Sequence, residues 1–243
     1  MSNEQIFTEI YMRNSWGSAE SVSGISATLS RTESIRQKLP AIIQTLEIQS
    51  IIDIGCGDWN WMRQVDLSGV SYLGIDIVEP LIEKLQTQYT SSNIRFQKMD
   101  VLTELPETTD LWIVRDICGL YGYDECKQIF HQFLTSESRF LAITTIDGCE
   151  NQDSLPGTWR ALNLRDAPFN LPEPVCVIDD GQQWFRNKKL LVFSYGAIEE
   201  WFPSMLARLE VDQPNMETDT LDRNAHLVSN VPLRQLSLRG HKG

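Results

Sequence analysis

The sequence predicts an α/β fold, a doubly wound and mainly parallel sheet with helices between its strands. Three observations lead there. From residue 50 to 144, short apolar runs alternate with segments of helical periodicity. One run, Leu111 to Val114, is apolar throughout, as a strand covered on both faces must be. A glycine turn, Gly55-Cys-Gly57, follows directly on the first run, where such sheets bind ligands.

The elements follow in order. The first thirty residues are polar and Ser-rich and read as a loop, with Asn14-Ser-Trp-Gly17 embedded in it. Thr32 is placed as an N-cap, and Ile35, Leu39, Ile42, Ile43 and Leu46 then share one helical face. Pro40 inside that stretch predicts a kink or a restart. Strands are expected at 50–54, 72–75, 94–97, 111–114 and 140–144. Pro80 opens a helix carrying Leu81, Ile82, Leu85 and Tyr89. Asp124 is placed as the cap of another, with Cys126, Ile129, Phe130, Phe133 and Leu134 on one stripe. Residues 147–174 are rich in Pro, Asn, Asp and Gly and read as an ordered lid. Runs at 175–178 and 190–194 close the sheet. The division expected is an N-terminal cap segment over 1–47, a main domain over 48–210 and a polar tail over 211–243.

Bulk properties narrow the function. The chain has 243 residues, 42% of them hydrophobic, enough for a substantial core. Its formal net charge of -12 argues against a nucleic-acid partner. Five scattered cysteines and three histidines offer no metal-ligand spacing, so no metal is expected. Reduced thiols, no signal-like start and no long apolar run predict a cytoplasmic protein without a membrane partner.

The candidate chemistry gathers at strand ends. Glycines 55 and 57 allow a tight turn and close approach to a ligand. Asp76 ends the second strand, 23 positions after Asp53, where an acid accepts hydrogen bonds from ribose hydroxyls. Asp100 and Val101 end the third, and Arg115-Asp116 end the fourth. A dinucleotide fingerprint needs a third glycine, and the sequence has Asn60 there. Asp58 and Trp59 place an acid and a bulky ring where a pyrophosphate needs bare backbone. An acidic loop suits a cationic, phosphate-free cofactor.

The run Ile52-Asp-Ile-Gly-Cys-Gly-Asp-Trp-Asn-Trp-Met62 resembles a branch of the class I S-adenosylmethionine-dependent methyltransferases. Asn14-Ser-Trp-Gly17, Arg115-Asp116, Gly157-Thr-Trp-Arg-Ala-Leu-Asn-Leu164 and Ala167-Pro-Phe169 extend the similarity over roughly residues 11 to 195. The resemblance implies a Rossmann-like seven-stranded sheet with its last strand antiparallel, an N-terminal helical cap and a lid inserted after the fifth strand. It implies S-adenosyl-L-methionine as cofactor and S-adenosyl-L-homocysteine as product. By motif position, Asp53, Gly55 and Gly57 would line the methionine moiety, with Asp58 and Trp59 in the same loop. Asp76 and Ile77 would bind the ribose, and Asp100 and Val101 the adenine. Arg115 would sit at the methionine end and Trp16 would close over the cofactor. Trp59 replaces the third glycine of the general family loop. The segment Ile117 to Tyr123 lacks the histidine many relatives carry there.

Methyl transfer is an in-line displacement in which alignment supplies much of the catalysis. A carboxylate acceptor needs no base, whereas a hydroxyl does. Asp116 and Tyr121 are the catalytic candidates, and Trp159 and Arg160 are candidates for clamping an acceptor. The expected activity is O-methylation of a small molecule or peptide natural product. A non-catalytic binding module and a nucleotide-dependent oxidoreductase are the alternatives.

Overall fold

The computed structural model describes residues 1–181 and 185–211. Helix α1 (Asn3–Met12) and helix α2 (Glu33–Thr45) precede the sheet. The strands are β1 (Ser50–Ile54), β2 (Ser71–Asp76), β3 (Ile94–Lys98), β4 (Leu111–Val114), β5 (Phe140–Ile146), β6 (Cys176–Asp179) and β7 (Lys188–Ser194). Between and after them lie α3 (Glu79–Tyr89), α4 (Tyr123–Thr135) and α5 (Tyr195–Val211).

The seven strands are ordered β3-β2-β1-β4-β5-β7-β6. The pairs β1–β2, β2–β3, β1–β4 and β4–β5 are parallel. β7 runs antiparallel to both its neighbours, so it alone is reversed. This is the Rossmann-like sheet with an antiparallel last strand. Strand order turns back between β1 and β4, which opens a crevice at their carboxyl ends. The central strands are hydrophobic because both faces are covered: all of β4 is buried, and Trp112 is fully so.

Strand positions agree with the sequence reading to within two residues at each end. The helices need more correction. The N-terminal stretch expected to be a loop begins with α1, opened by a capping box in which Ser2 Oγ accepts from Gln5 N–H and Gln5 Oε1 accepts from Ser2 N–H. Phe7 buries its ring from that helix. Thr32 does occupy the N-cap of α2, but its hydroxyl donates backward to Thr28 O at 2.9 Å instead of capping. The helix runs through Pro40 undivided. Gly122, not Asp124, caps α4; Asp124 lies in the first turn, where its charge suits the helix dipole.

α5 has no counterpart in the sequence reading. Gly196 and Pro203 obscure a stripe of Ile198, Trp201, Phe202, Met205 and Leu209, all buried. Trp201 packs on Phe130 of α4 with ring centroids 4.9 Å apart. Its indole donates to the carbonyls of Phe169 and Asn170, and Arg208 donates to those of Pro168 and Phe169. The far end of the 147–174 segment is thereby tied to α5. The tail expected from residue 211 lies outside the described residues after that position.

The segment between β1 and β2 also departs from the doubly wound pattern. It holds a single 3₁₀ turn, Met62–Gln64, where an α-helix would ordinarily cross over.

Candidate active site

A cavity of about 420 Å³ opens at the carboxyl ends of β1, β2, β3 and β4. Its floor begins at the glycine turn. Gly55 and Gly57 have φ of 65° and 56°, left-handed values that L side chains rarely adopt. A Cβ on Gly55 would lie 2.2 Å from Ile117 Cδ1, and one on Gly57 would lie 2.0 Å from Ser23 Oγ. The second contact reveals something the sequence did not. The N-terminal segment lies directly on the turn.

Residues 16–31 form a roof over the cavity, with Trp16, Ser23 and Ser26 among its lining. Asp58 holds that roof. Its Oδ1 accepts from Ser21 Oγ at 2.9 Å, its Oδ2 accepts from Val22 N–H at 3.0 Å, and its own N–H donates to Ser23 Oγ at 3.1 Å. Asn60 adds a second anchor, donating to Glu20 Oε1 at 2.8 Å and Ala27 O at 3.1 Å. Trp59 turns away into an aromatic cluster with Tyr72, Tyr89 and Phe96. Trp61 faces the cavity and lies under the Arg115 guanidinium at 5.4 Å. The Asp-Trp-Asn-Trp run is thus a docking platform for the N-terminal roof. Asp58→Ala is expected to raise the amide exchange rate of Val22 at least tenfold, since a charge-assisted hydrogen bond contributes about 1.5–3 kcal/mol. Unchanged protection at Val22 in hydrogen-exchange mass spectrometry would refute the clamp.

Two carboxylates rim the cavity at the ends of β2 and β3. Asp76 accepts from Gly57 N–H at 3.1 Å and Val78 N–H at 3.0 Å. Burial raises its pKa despite those bonds. Asp100 accepts from Leu102 N–H at 3.0 Å. Asp53 lies below the turn, buried, with Tyr72 Oη donating to its Oδ2 at 2.8 Å. Burial pushes its carboxyl up to about 7, against the opposing pull of Tyr72 and the Arg115 charge.

The opposite end of the cavity is a buried ion network. Arg115 grips Asp180 with two bonds, Nε–Oδ2 at 2.8 Å and Nη2–Oδ1 at 3.1 Å. Its Nη2 also donates to Ser26 O at 2.9 Å, and its Nη1 lies 3.3 Å from Asp116 Oδ2. Lys188 Nζ reaches Asp116 at 2.6 Å and Asp180 at 3.2 Å. Two cations and two carboxylates therefore balance. Asp116 holds a left-handed φ of 65°, and its N–H donates to Thr144 Oγ1 at 3.0 Å. Burial alone would raise its pKa, but Lys188 and Arg115 outweigh it and hold the carboxyl at about 2. Such a group is a permanent hydrogen-bond acceptor and a poor base. Burial, then Asp100 and Asp76, push the Tyr121 phenol well above its ordinary value, so it stays protonated. Neither residue has the proton affinity expected of a general base near pH 7.

Of the residues singled out from the sequence, all but Asp53, Trp59 and Arg160 line this cavity. Arg160 donates to the carbonyls of Gln152, Cys118 and Tyr121 and to Ser154 Oγ, so its guanidinium fastens the 147–174 segment to the loop after β4. Sequence reading missed Ser23, Ser26, Asp180 and Lys188. Their chemistry depends on partners dozens of residues away, which no local motif records.

No protein-family model matches the sequence, and no curated protein does. Solved structures do. Magnesium protoporphyrin IX methyltransferase of Synechocystis PCC 6803, solved with bound S-adenosylhomocysteine, superposes with a TM-score of 0.55 at 15% identity, covering 79% of this chain and 99% of that one. The N-methyltransferase NodS of Bradyrhizobium japonicum WM9 gives 0.51 at 16% identity, over 67% and 94%. The pyocyanin biosynthetic protein PhzM gives 0.52 at 12% identity, over 67% and 54%. What these proteins share with the chain is its Rossmann-like fold, the fold of S-adenosylmethionine-dependent methyltransferases.

Proposed function

We propose that this protein is an S-adenosylmethionine-dependent methyltransferase that O-methylates a small molecule or peptide. One observation carries the reading. The glycine turn is followed by a 3₁₀ turn and no α-helix, so the helix N-terminus that would hold a pyrophosphate is absent among the described residues. Around that turn stand Asp58, Asp76 and Asp100. This set of carboxylates fits a cationic nucleoside without phosphates and disfavours a dinucleotide. The cavity volume is in the ordinary range for small-ligand sites, roughly 300–1,000 Å³.

When bound, S-adenosylmethionine supplies an activated methyl group on a sulfonium sulfur. The chain's own groups then bind and orient. Asp76 accepts from the ribose hydroxyls, already steadied by Gly57 and Val78 N–H. Asp100 receives the adenine amino group, between the apolar walls of Ile77, Val101 and Tyr121. Gly55 and Gly57 give the turn beside the methionine arm its left-handed backbone, with Ile117 and Ser23 packed where their side chains would stand. Trp16 and the rest of the roof exclude water, which matters because alignment, not acid–base chemistry, supplies most of the rate.

Calorimetric titration tests this. S-adenosylhomocysteine is expected to bind and NAD to give no heat. Asp76→Ala is expected to weaken S-adenosylhomocysteine by about 10- to 100-fold, the loss of hydrogen bonds to a charged group. No binding at millimolar concentration would overturn the cofactor, and wild-type affinity in the variant would overturn the ribose assignment.

A further inference from the structure

The end of the cavity beyond the cofactor side has a composition that selects its occupant. Trp159 is 52% exposed and Phe185 is 42% exposed, although both are large and apolar, and both line the cavity. Their rings stand edge to face, centroids 6.4 Å apart and planes at 90°. Half-exposed aromatic rings at a cavity mouth leave apolar surface for a ligand to cover. Both line the same cavity as Asp116. The Trp159 indole lies over Gly119, where a Cβ would sit 3.6 Å from Nε1, and Gly119 is three residues beyond Asp116. Phe185 is three residues before Lys188, whose ammonium holds Asp116 at 2.6 Å. Arg160, through the carbonyls of Cys118 and Tyr121, acts as a positioning residue for Trp159.

Building on the methyltransferase reading above, we propose that the acceptor is a planar aromatic alcohol, its ring held in the corner of Trp159 and Phe185 and its hydroxyl donating to Asp116. Two perpendicular rings offer a planar guest one stacked contact and one edge contact. Asp116 then decides the reacting group. Its side chain is 18% exposed, and its charge is fixed by Lys188 and Arg115. A carboxylate acceptor has no proton to donate to Asp116 and adds an unmatched negative charge to a network whose two carboxylates and two cations already balance. An alkylamine is an ammonium near pH 7 and has no lone pair to react. A hydroxyl donates to Asp116 and keeps a lone pair for the methyl group. In the transfer, that oxygen lone pair forms the O–CH₃ bond while the S–CH₃ pair remains on sulfur. Solvent water at the half-exposed Trp159 and Phe185 end takes the hydroxyl proton and is the base that a hydroxyl acceptor needs, because Asp116 binds protons too weakly to retain it. The products are an aryl methyl ether, S-adenosylhomocysteine and a proton.

The test uses the full chain saturated with S-adenosylhomocysteine, with 2-naphthol, 2-naphthoate and 2-naphthylmethylamine titrated in by calorimetry. The alcohol is expected to bind at least tenfold more tightly than the carboxylate. Trp159→Ala should weaken it at least tenfold while S-adenosylhomocysteine affinity stays within twofold, which also shows that the variant is folded. Asp116→Asn should narrow the gap between alcohol and carboxylate. Absence of saturable naphthol binding, naphthoate binding as tight as naphthol, or an unaffected Trp159→Ala variant each overturns the proposal. If S-adenosylhomocysteine itself fails to bind, the cofactor reading falls, and naphthol titrated into the protein alone still decides the aromatic corner.

Discussion

Replacing Asp180 with alanine is expected to destabilise the fold by about 3–5 kcal/mol, the usual cost of stripping one partner from a buried ion pair. Asp180 is fully buried and receives three contacts, two from Arg115 and one from Lys188. Without it, two buried cations share the single carboxylate of Asp116. Arg115 would keep Ser26 O, the Trp61 ring and the looser Asp116 contact at 3.3 Å. Urea unfolding followed by tryptophan fluorescence gives the number directly. A loss below about 1 kcal/mol would mean that water reaches the guanidinium and that the network contributes little. Asp180→Asn should cost less than alanine, because one amide oxygen can still accept from Arg115.

The second large effect concerns Asp53 and is a dependence on pH. The carboxyl titrates near its ordinary value of 3.8 in the unfolded chain and at about 7 when folded, where burial is the main cause. The groups facing it are Tyr72, which donates a hydrogen bond, the Arg115 charge, which favours ionisation, and the Asp76 charge, which opposes it. Because the folded value is raised, the folded state is favoured by protonation. Its contribution is intact below about pH 4 and is lost as pH rises through about 7. At 1.36 kcal/mol for each pH unit between the two values, the loss is on the order of 4 kcal/mol. Asp53→Asn carries no such titration and can still accept from Tyr72. The variant is therefore expected to gain several kcal/mol on the wild type between pH 4 and pH 8. Unfolding curves at both ends of that range check it, and parallel pH profiles for the two proteins would refute it.

The central sheet was legible in the sequence because a doubly covered strand must be mainly apolar and short: β4 is apolar throughout, and β1 carries three isoleucines in five residues. The glycine turn and the acids after β2 and β3 were legible because a strand end fixes where its next residue points. Other features were hidden for identifiable reasons. α1 is short and polar on one side, and only its Ser2–Gln5 capping box marks it. α5 carries a glycine and a proline that dilute its apolar stripe. Asp58 was legible as an acid beside a cofactor loop, yet its oxygens face Ser21 and Val22, and nothing local to residue 58 encodes that. The sequence offers Arg160 for clamping an acceptor but does not encode the bonds its guanidinium makes to the carbonyls of Gln152, Cys118 and Tyr121 and to Ser154 Oγ. Periodicity predicts which face of an element is buried. It does not predict which distant loop will arrive there.

Arg115 has a consequence of a different kind. Its guanidinium joins the carbonyl of Ser26, from the start of the chain, to the carboxylate of Asp180, near the end of the sheet. The two are separated by more than 150 residues, so this junction forms only after nearly the whole domain has been synthesised and its slow, long-range contacts have closed. A chain that ends before Asp180 lacks the carboxylate that receives Arg115, so its chamber stays unsealed. Closure of the cavity is therefore a property of the finished protein, and protection of the roof amides from exchange serves as a direct assay of complete folding.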